Sequence, residues 1–94
     1  MRFLIHMHVP TETGNKIAQD DSSMTNLEDY LNHVKAETAY FFVSNGERNA
    51  IFIVNIDSVD ILPNLAEPLF QKFNAKVDIY PVMNLDELKK GYSK

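Results

Sequence analysis

Polar and apolar positions alternate from the second residue of the chain. Phe3, Ile5, Met7 and Val9 interleave with Arg2, Leu4, His6 and His8, the two-residue period of a pleated strand. Pro10 ends it. Thr11 is placed to cap a short helix over about residues 12–19, which the polar stretch Asp20-Asp21-Ser22-Ser23 interrupts. Thr25-Asn26-Leu27-Glu28 then has the T-x-x-E form of a capping box, in which the glutamate reaches back to the cap. Leu27, Leu31 and Val34, with Met24 and Tyr30 beside them, recur at three- and four-residue steps, so one apolar stripe is expected on a helix running to about Lys35.

The middle of the chain carries the strongest local signal. Tyr40-Phe41-Phe42-Val43 and Ala50-Ile51-Phe52-Ile53-Val54 flank Ser44-Asn45-Gly46-Glu47. Asn-Gly between such runs predicts a two-residue type I′ turn, which needs positive φ at both central positions. The register follows: Ser44 opposes Glu47, Val43 opposes Arg48, Phe42 opposes Asn49, Phe41 opposes Ala50 and Tyr40 opposes Ile51. Opposed residues share a face. One face then carries Ala39, Phe41, Val43, Ala50, Phe52, Val54 and Ile56, apolar except for Arg48. The other carries Thr38, Tyr40, Phe42, Asn49, Ile51, Ile53 and Asn55.

Residues 57–60 offer caps for a helix whose buried stripe would be Leu62, Leu65, Ala66, Leu69, Phe70 and Phe73. Pro68 lies within it and predicts a kink or break near Glu67, because proline removes a donor and crowds the preceding turn. Asn74 is a suitable stop. Lys76 to Val82 reads as a last strand, with Val77 and Ile79 on one side and Asp78, Tyr80 and Val82 on the other. Pro81 would cost a central strand a ladder bond, so an edge position is expected. Asn84-Leu85-Asp86-Glu87 opens a short C-terminal helix expected to end at Lys89-Lys90-Gly91. The element order, strand–helix–strand–strand–helix–strand plus a terminal helix, is that of an α+β, ferredoxin-like βαββαβ fold. Its four-stranded antiparallel sheet runs in the order 4-1-3-2, with the first helical connection broken in two.

Composition narrows the setting. A chain of 94 residues with 45% hydrophobic content fits a single domain over residues 1–94. No cysteine means no disulfide and no thiolate chemistry. Thirteen acidic against nine basic residues argue against a nucleic-acid partner, which needs clustered Lys and Arg. The longest apolar run, Ala50 to Val54, is far short of the ~20 residues that cross a bilayer. Met1-Arg2-Phe3-Leu4-Ile5-His6 lacks the pattern of a signal peptide. The expected setting is therefore the cytoplasm, away from any membrane.

Two helices cover one face of such a sheet. The other keeps Leu4, Tyr40, Phe42, Ile51, Ile53, Tyr80 and Val82, and strands apolar on both sides are normally covered on both. Left bare, these side chains expose several hundred Å², near the ~300–600 Å² of a typical monomer's largest patch. Covering that area at ~25 cal/mol per Å² is worth on the order of 10 kcal/mol before association costs. A symmetric homodimer, sheet against sheet, is the simplest cover. A monomer shielded by its own C-terminal helix, through Leu85, Leu88 and Tyr92, is the alternative.

The strand order, the length and the half-apolar open face resemble those of the dimeric α+β barrel superfamily, which includes muconolactone-isomerase-like proteins and antibiotic-biosynthesis-type monooxygenases. Pro10-Thr11-Glu12-Thr13-Gly14-Asn15, Ala39-Tyr40-Phe41, Ala66-Glu67-Pro68-Leu69-Phe70 and Pro81-Val82-Met83 are similar to segments of small bacterial members without an assigned reaction. The resemblance implies a dimer with a ligand-sized cavity and not one chemistry; no characterised member's catalytic set maps onto this chain.

The residues that carry chemistry gather on the expected open face. His6 and His8, at i and i+2, share one side of the first strand. They are suited to a general-base role or, with Asp78 on the neighbouring strand, to chelating a metal. A purely structural, hydrogen-bonded pair is the plainer reading, and neither a cofactor nor a metal-ligand set is assigned. Tyr40, Asn55, Asp78 and Tyr80 fall on the same side over a floor of Phe42, Ile51 and Ile53, which suits a small apolar or aromatic ligand. As an enzyme, this would take the form of a cofactor-independent monooxygenase or an isomerase. His6 or His8 would abstract a proton from an activated carbon, and Tyr40 or Asn55 would hold the enolate oxygen. As a non-catalytic interaction protein, it would use the tyrosines only as interface anchors. A cavity of ~300 Å³ or more beside His6 would favour the ligand. Asp20-Asp21 with Glu12 lacks calcium-loop spacing, the three glycines are isolated, and no serine sits in a nucleophile elbow.

Overall fold

A computed structural model of the chain describes residues 1–93. Strand β1 (Arg2–Val9) is followed by helices α1 (Thr11–Ala18) and α2 (Ser23–His33), the hairpin β2 (Thr38–Ser44) and β3 (Glu47–Asn55), and a 3₁₀ turn at Val59–Ile61. Helix α3 (Leu62–Phe73), strand β4 (Lys76–Val82) and helix α4 (Leu85–Tyr92) complete it. The sheet is antiparallel in the order β2-β3-β1-β4, the expected order read from the other edge. The fold is α+β and ferredoxin-like. Pro81 lies on an edge strand, as its missing donor requires.

The hairpin register is the expected one at every pair, from Thr38 opposite Ile53 to Ser44 opposite Glu47. Asn45 at φ 53° and Gly46 at φ 72° make the turn. The two ends of the first connection depart from expectation. Helix α1 begins at Thr11, capped by no side chain; the Thr11 hydroxyl instead donates to the Gly46 carbonyl of the hairpin turn at 3.2 Å. Helix α2 begins at Ser23, so Thr25 and Glu28 lie inside it and no capping box forms there. The loop before α2 is held by Asp20, whose carboxylate accepts from the Ser22 amide and hydroxyl at 3.0 and 2.8 Å. These bonds draw the Asp20 pKa below its ordinary value. The helix ends at His33, two residues early, with Lys35 at φ 54° and the Ala36 amide donating to the Leu31 carbonyl, a Schellman turn.

Phe3, Ile5, Met7 and Val9 of β1 and Ala50, Phe52 and Val54 of β3 are buried against Tyr30 of α2 and Leu65, Leu69 and Phe73 of α3. Leu27, Leu31 and Val34 pack around the rim of this core. The Tyr30 hydroxyl, buried with its ring, donates to the Leu65 carbonyl at 2.7 Å, so the one polar atom on that side chain is satisfied. Burial pushes its pKa well above the ordinary phenol value.

Of the kink or break expected near Glu67, the break does not occur: helix α3 runs on through Pro68. Leu65 and Leu69, on the buried stripe either side of it, hold the helix to the sheet, and that burial outweighs the missing bond. Phe70, expected in the buried stripe, is exposed, as are Phe41 and Val43 on the helix-facing side of β2. These last two lie on the edge strand, which the helices do not reach. Gly91 lies inside α4, not beyond it, while the expected capping box at Asn84 and Glu87 is complete. Every residue described in α4 is exposed, Leu85, Leu88 and Tyr92 included, so this helix does not shield the open face. Among the described residues no helix is long and apolar enough to cross a membrane.

Candidate functional site

The side of the sheet turned away from the helices is laid out in cross-strand rows, three of which hold the histidines and their neighbours. Asp78, His6, Ile51 and Tyr40 form the central one. On one side of it stand Lys76, His8, Asn49 and Phe42; on the other, Tyr80, Leu4, Ile53 and Thr38. The expected site residues other than Asn55 therefore lie in adjacent rows. Asn55 stands opposite Arg2, four positions along from His6, roughly 13 Å at ~3.3 Å per residue. Its carboxamide oxygen accepts from the Met1 ammonium at 2.9 Å. It holds the start of β1 in place and does not line the histidine cluster.

The face is uncovered. Tyr40, Phe42 and Tyr80 are 63%, 40% and 51% exposed, while His6, His8, Leu4, Ile51 and Ile53 are half-buried between them. At its centre the two imidazoles stand with ring centroids 3.8 Å apart, and the Phe42 ring lies 5.6 Å from His6. His8 Nε2 faces the Asp78 carboxylate at 3.5 Å. His6 Nε2 lies 2.9 Å from Asn49 Oδ1.

Asn49 is the residue the periodicity did not single out. It is 4% exposed, and its Nδ2 donates to the carbonyls of Glu47 at 2.9 Å and Ser44 at 3.3 Å. With the amide group so committed, Oδ1 is the atom presented to His6, and Nε2 of the imidazole is a donor. The signal for it was present: asparagine is disfavoured inside strands, yet one stands at the head of an apolar run, opposite Phe42 and His8.

The helix side of the sheet is concave. A cleft of about 390 Å³ opens between the hairpin and the first two helices. Its walls include Met7, Ile17, Leu27, Phe41, Val43 and Phe73. Arg48 crosses its end over Gly14, where a β-carbon would stand 2.6 Å from the guanidinium, and donates to Asn15 Oδ1 at 3.2 Å. Beside His6 itself the chain forms an open surface.

Chemically, the open face offers an imidazole of fixed orientation, a second imidazole against a carboxylate, and two phenols, all on an apolar floor. That set can bind and orient a small molecule, take up a proton, or hold a cation.

No protein-family model matches the chain, and no curated protein does. Among solved structures, a formyltetrahydrofolate deformylase from Pseudomonas putida KT2440 is similar over 87% of this chain and 29% of its own length, with a TM-score of 0.54 and 11% identity. The chain thus spans under a third of that enzyme. The de novo designed protein Ferredog-Diesel is similar over 86% of this chain and 85% of its own, with a TM-score of 0.52 and 10% identity. At such identities the likeness concerns the fold alone.

Proposed function

We propose that the chain acts as a homodimer of the dimeric α+β barrel type, joined through the open sheet face, and that the joined faces enclose a small-molecule site around His6, His8, Tyr40 and Tyr80. The observation that carries this reading is the uncovered face itself. Three large aromatic side chains stand exposed around half-buried imidazoles, and α4 does not cover them, every described residue of it being exposed. Aromatic anchors around a partly polar centre are what a protein interface uses. The site is open in one protomer, so a second copy is what makes it a chamber. There, His6 or His8 would serve as the base toward an activated carbon and Tyr40 as donor to the resulting enolate oxygen, the chemistry of an isomerase or a cofactor-independent monooxygenase.

A second reading, a dimer with no ligand, is favoured by one observation: the cleft of about 390 Å³ lies on the helix side of the sheet and not beside His6. Sedimentation at micromolar concentration tests the shared premise. The wild-type chain is expected at the mass of two copies, and Phe42→Glu at the mass of one with its circular dichroism unchanged; a wild-type chain that stays single overturns both readings. A thermal-shift screen with small aromatic and carbonyl compounds separates them. Stabilisation lost in His6→Ala and His8→Ala supports the chamber, because binding to the folded state raises its stability. A dimer that responds to no compound supports the interface alone.

A further inference from the structure

The geometry points to a divalent metal site on this face, with His6, His8 and Asp78 as ligands and Zn²⁺ as the fitting ion. One ligand atom from each of the three residues lies within 4.8 Å of the other two. His8 Nε2 and the Asp78 carboxylate are already 3.5 Å apart, close to the ~3.4 Å edge of a tetrahedron whose ligands stand ~2.1 Å from the ion. Asp78, whose side chain is half exposed, has room to rotate toward an ion. His6 and His8 stand on the same side of β1, as residues two apart on a strand do, with ring centroids 3.8 Å apart, so turning the side chains, without backbone movement, is what brings a nitrogen of each toward a common ion.

Asn49 supplies the observation that sets this cluster apart from an ordinary surface pair. Imidazoles that bind metal typically pass their other ring N–H to an acceptor that fixes tautomer and orientation. His6 Nε2 has that acceptor, a buried carboxamide oxygen whose own amide group is fixed by two backbone carbonyls. Nδ1 of His6 is thereby left with its lone pair. Two imidazoles and one carboxylate are a recognised zinc set with a fourth position free for water or a ligand, and hard, oxygen-preferring ions such as Ca²⁺ and Mg²⁺ do not suit it. The fourth position would face the side that the proposed partner covers. The site shares His6 and His8 with the chamber proposed above but takes all its ligands from one chain, so it stands without the dimer.

The test uses the untagged full chain, freed of metal by chelator and titrated with ZnCl₂ by calorimetry, with Co²⁺ absorption reporting coordination geometry. One Zn²⁺ per chain is expected, unchanged in His33→Ala, which removes the exposed histidine of α2. Affinity is expected to fall at least 100-fold in His8→Ala and in Asp78→Asn, and 10- to 100-fold in Asn49→Ala. Asp78→Asn, at an exposed position, keeps the test valid where a histidine variant fails to fold. No saturable binding, or binding that survives Asp78→Asn and is lost in His33→Ala, overturns the proposal. Sedimentation of the same samples separates the two readings: a single chain that binds zinc removes the dimer and keeps the site, and a dimer that binds none does the reverse.

Discussion

The carboxamide of Asn49 determines which nitrogen of His6 carries the proton. Its oxygen lies 2.9 Å from His6 Nε2 while its nitrogen donates to Ser44 and Glu47, 5 and 2 residues back along the hairpin. The turn thereby reaches across to β1 and sets an imidazole 43 residues away in sequence. Asn49→Leu removes both donations and the acceptor together. We expect a loss of about 1–3 kcal/mol, the usual result of leaving buried polar groups unpaired, read by urea unfolding. Nitrogen-15 correlation spectra of the neutral wild-type imidazole should show the proton on Nε2, and a mixture of tautomers in the variant.

Tyr30 makes the stability of the fold fall at alkaline pH. Burial raises the pKa of its hydroxyl above the ordinary value of 10.0, so the unfolded chain releases this proton at lower pH than the native one. Above pH ~10 the unfolded state therefore holds fewer protons, and stability declines as pH rises. Below that value the contribution is present in full. Tyr30→Phe should abolish this part of the alkaline decline. At neutral pH it should cost about 0.5–1.5 kcal/mol for the lost bond to the Leu65 carbonyl, both effects being read from urea midpoints between pH 7 and pH 11.

Pro68 sits in the seventh place of a twelve-residue helix. It cannot donate to the carbonyl of Asn64, and its ring crowds that carbonyl. Pro68→Ala restores the bond at the expense of a looser unfolded chain. A net gain of about 1–2 kcal/mol is expected in chemical denaturation; a loss would show that the ring itself is packed to advantage.

The parts of this structure set by local rules were legible in the sequence. Asn45-Gly46 dictated its turn, the turn dictated the register, and the register placed Tyr40, Ile51 and His6 in one row. Pro81 announced an edge for reasons internal to one residue. The misreadings have the opposite character. Thr25 and Glu28 form a valid capping pattern, but helix α2 starts earlier at Ser23, which is buried against the rest of the protein. Pro68 breaks isolated helices, but the packing of Leu65 and Leu69 lies outside any local rule. Phe41 and Val43 belong to the apolar face and are nonetheless exposed, because which strands the helices reach depends on the whole layout. In the candidate site, strand alternation grouped the histidines with Asp78, whereas the part played by Asn49 depends on a neighbour no local pattern contains.

The two rims of the sheet are unequal. On β4 the rim carries two charges, Lys76 and Asp78, and the ring-blocked Pro81; on β2 the run from Thr38 to Ser44 has neither a charge nor a proline. An unguarded border of that composition is a template on which another extended segment can lay itself down by main-chain bonding. Fibre growth from concentrated solutions of this protein would therefore start from β2, and a lysine in place of Tyr40 or Phe42 would act there as a gatekeeper.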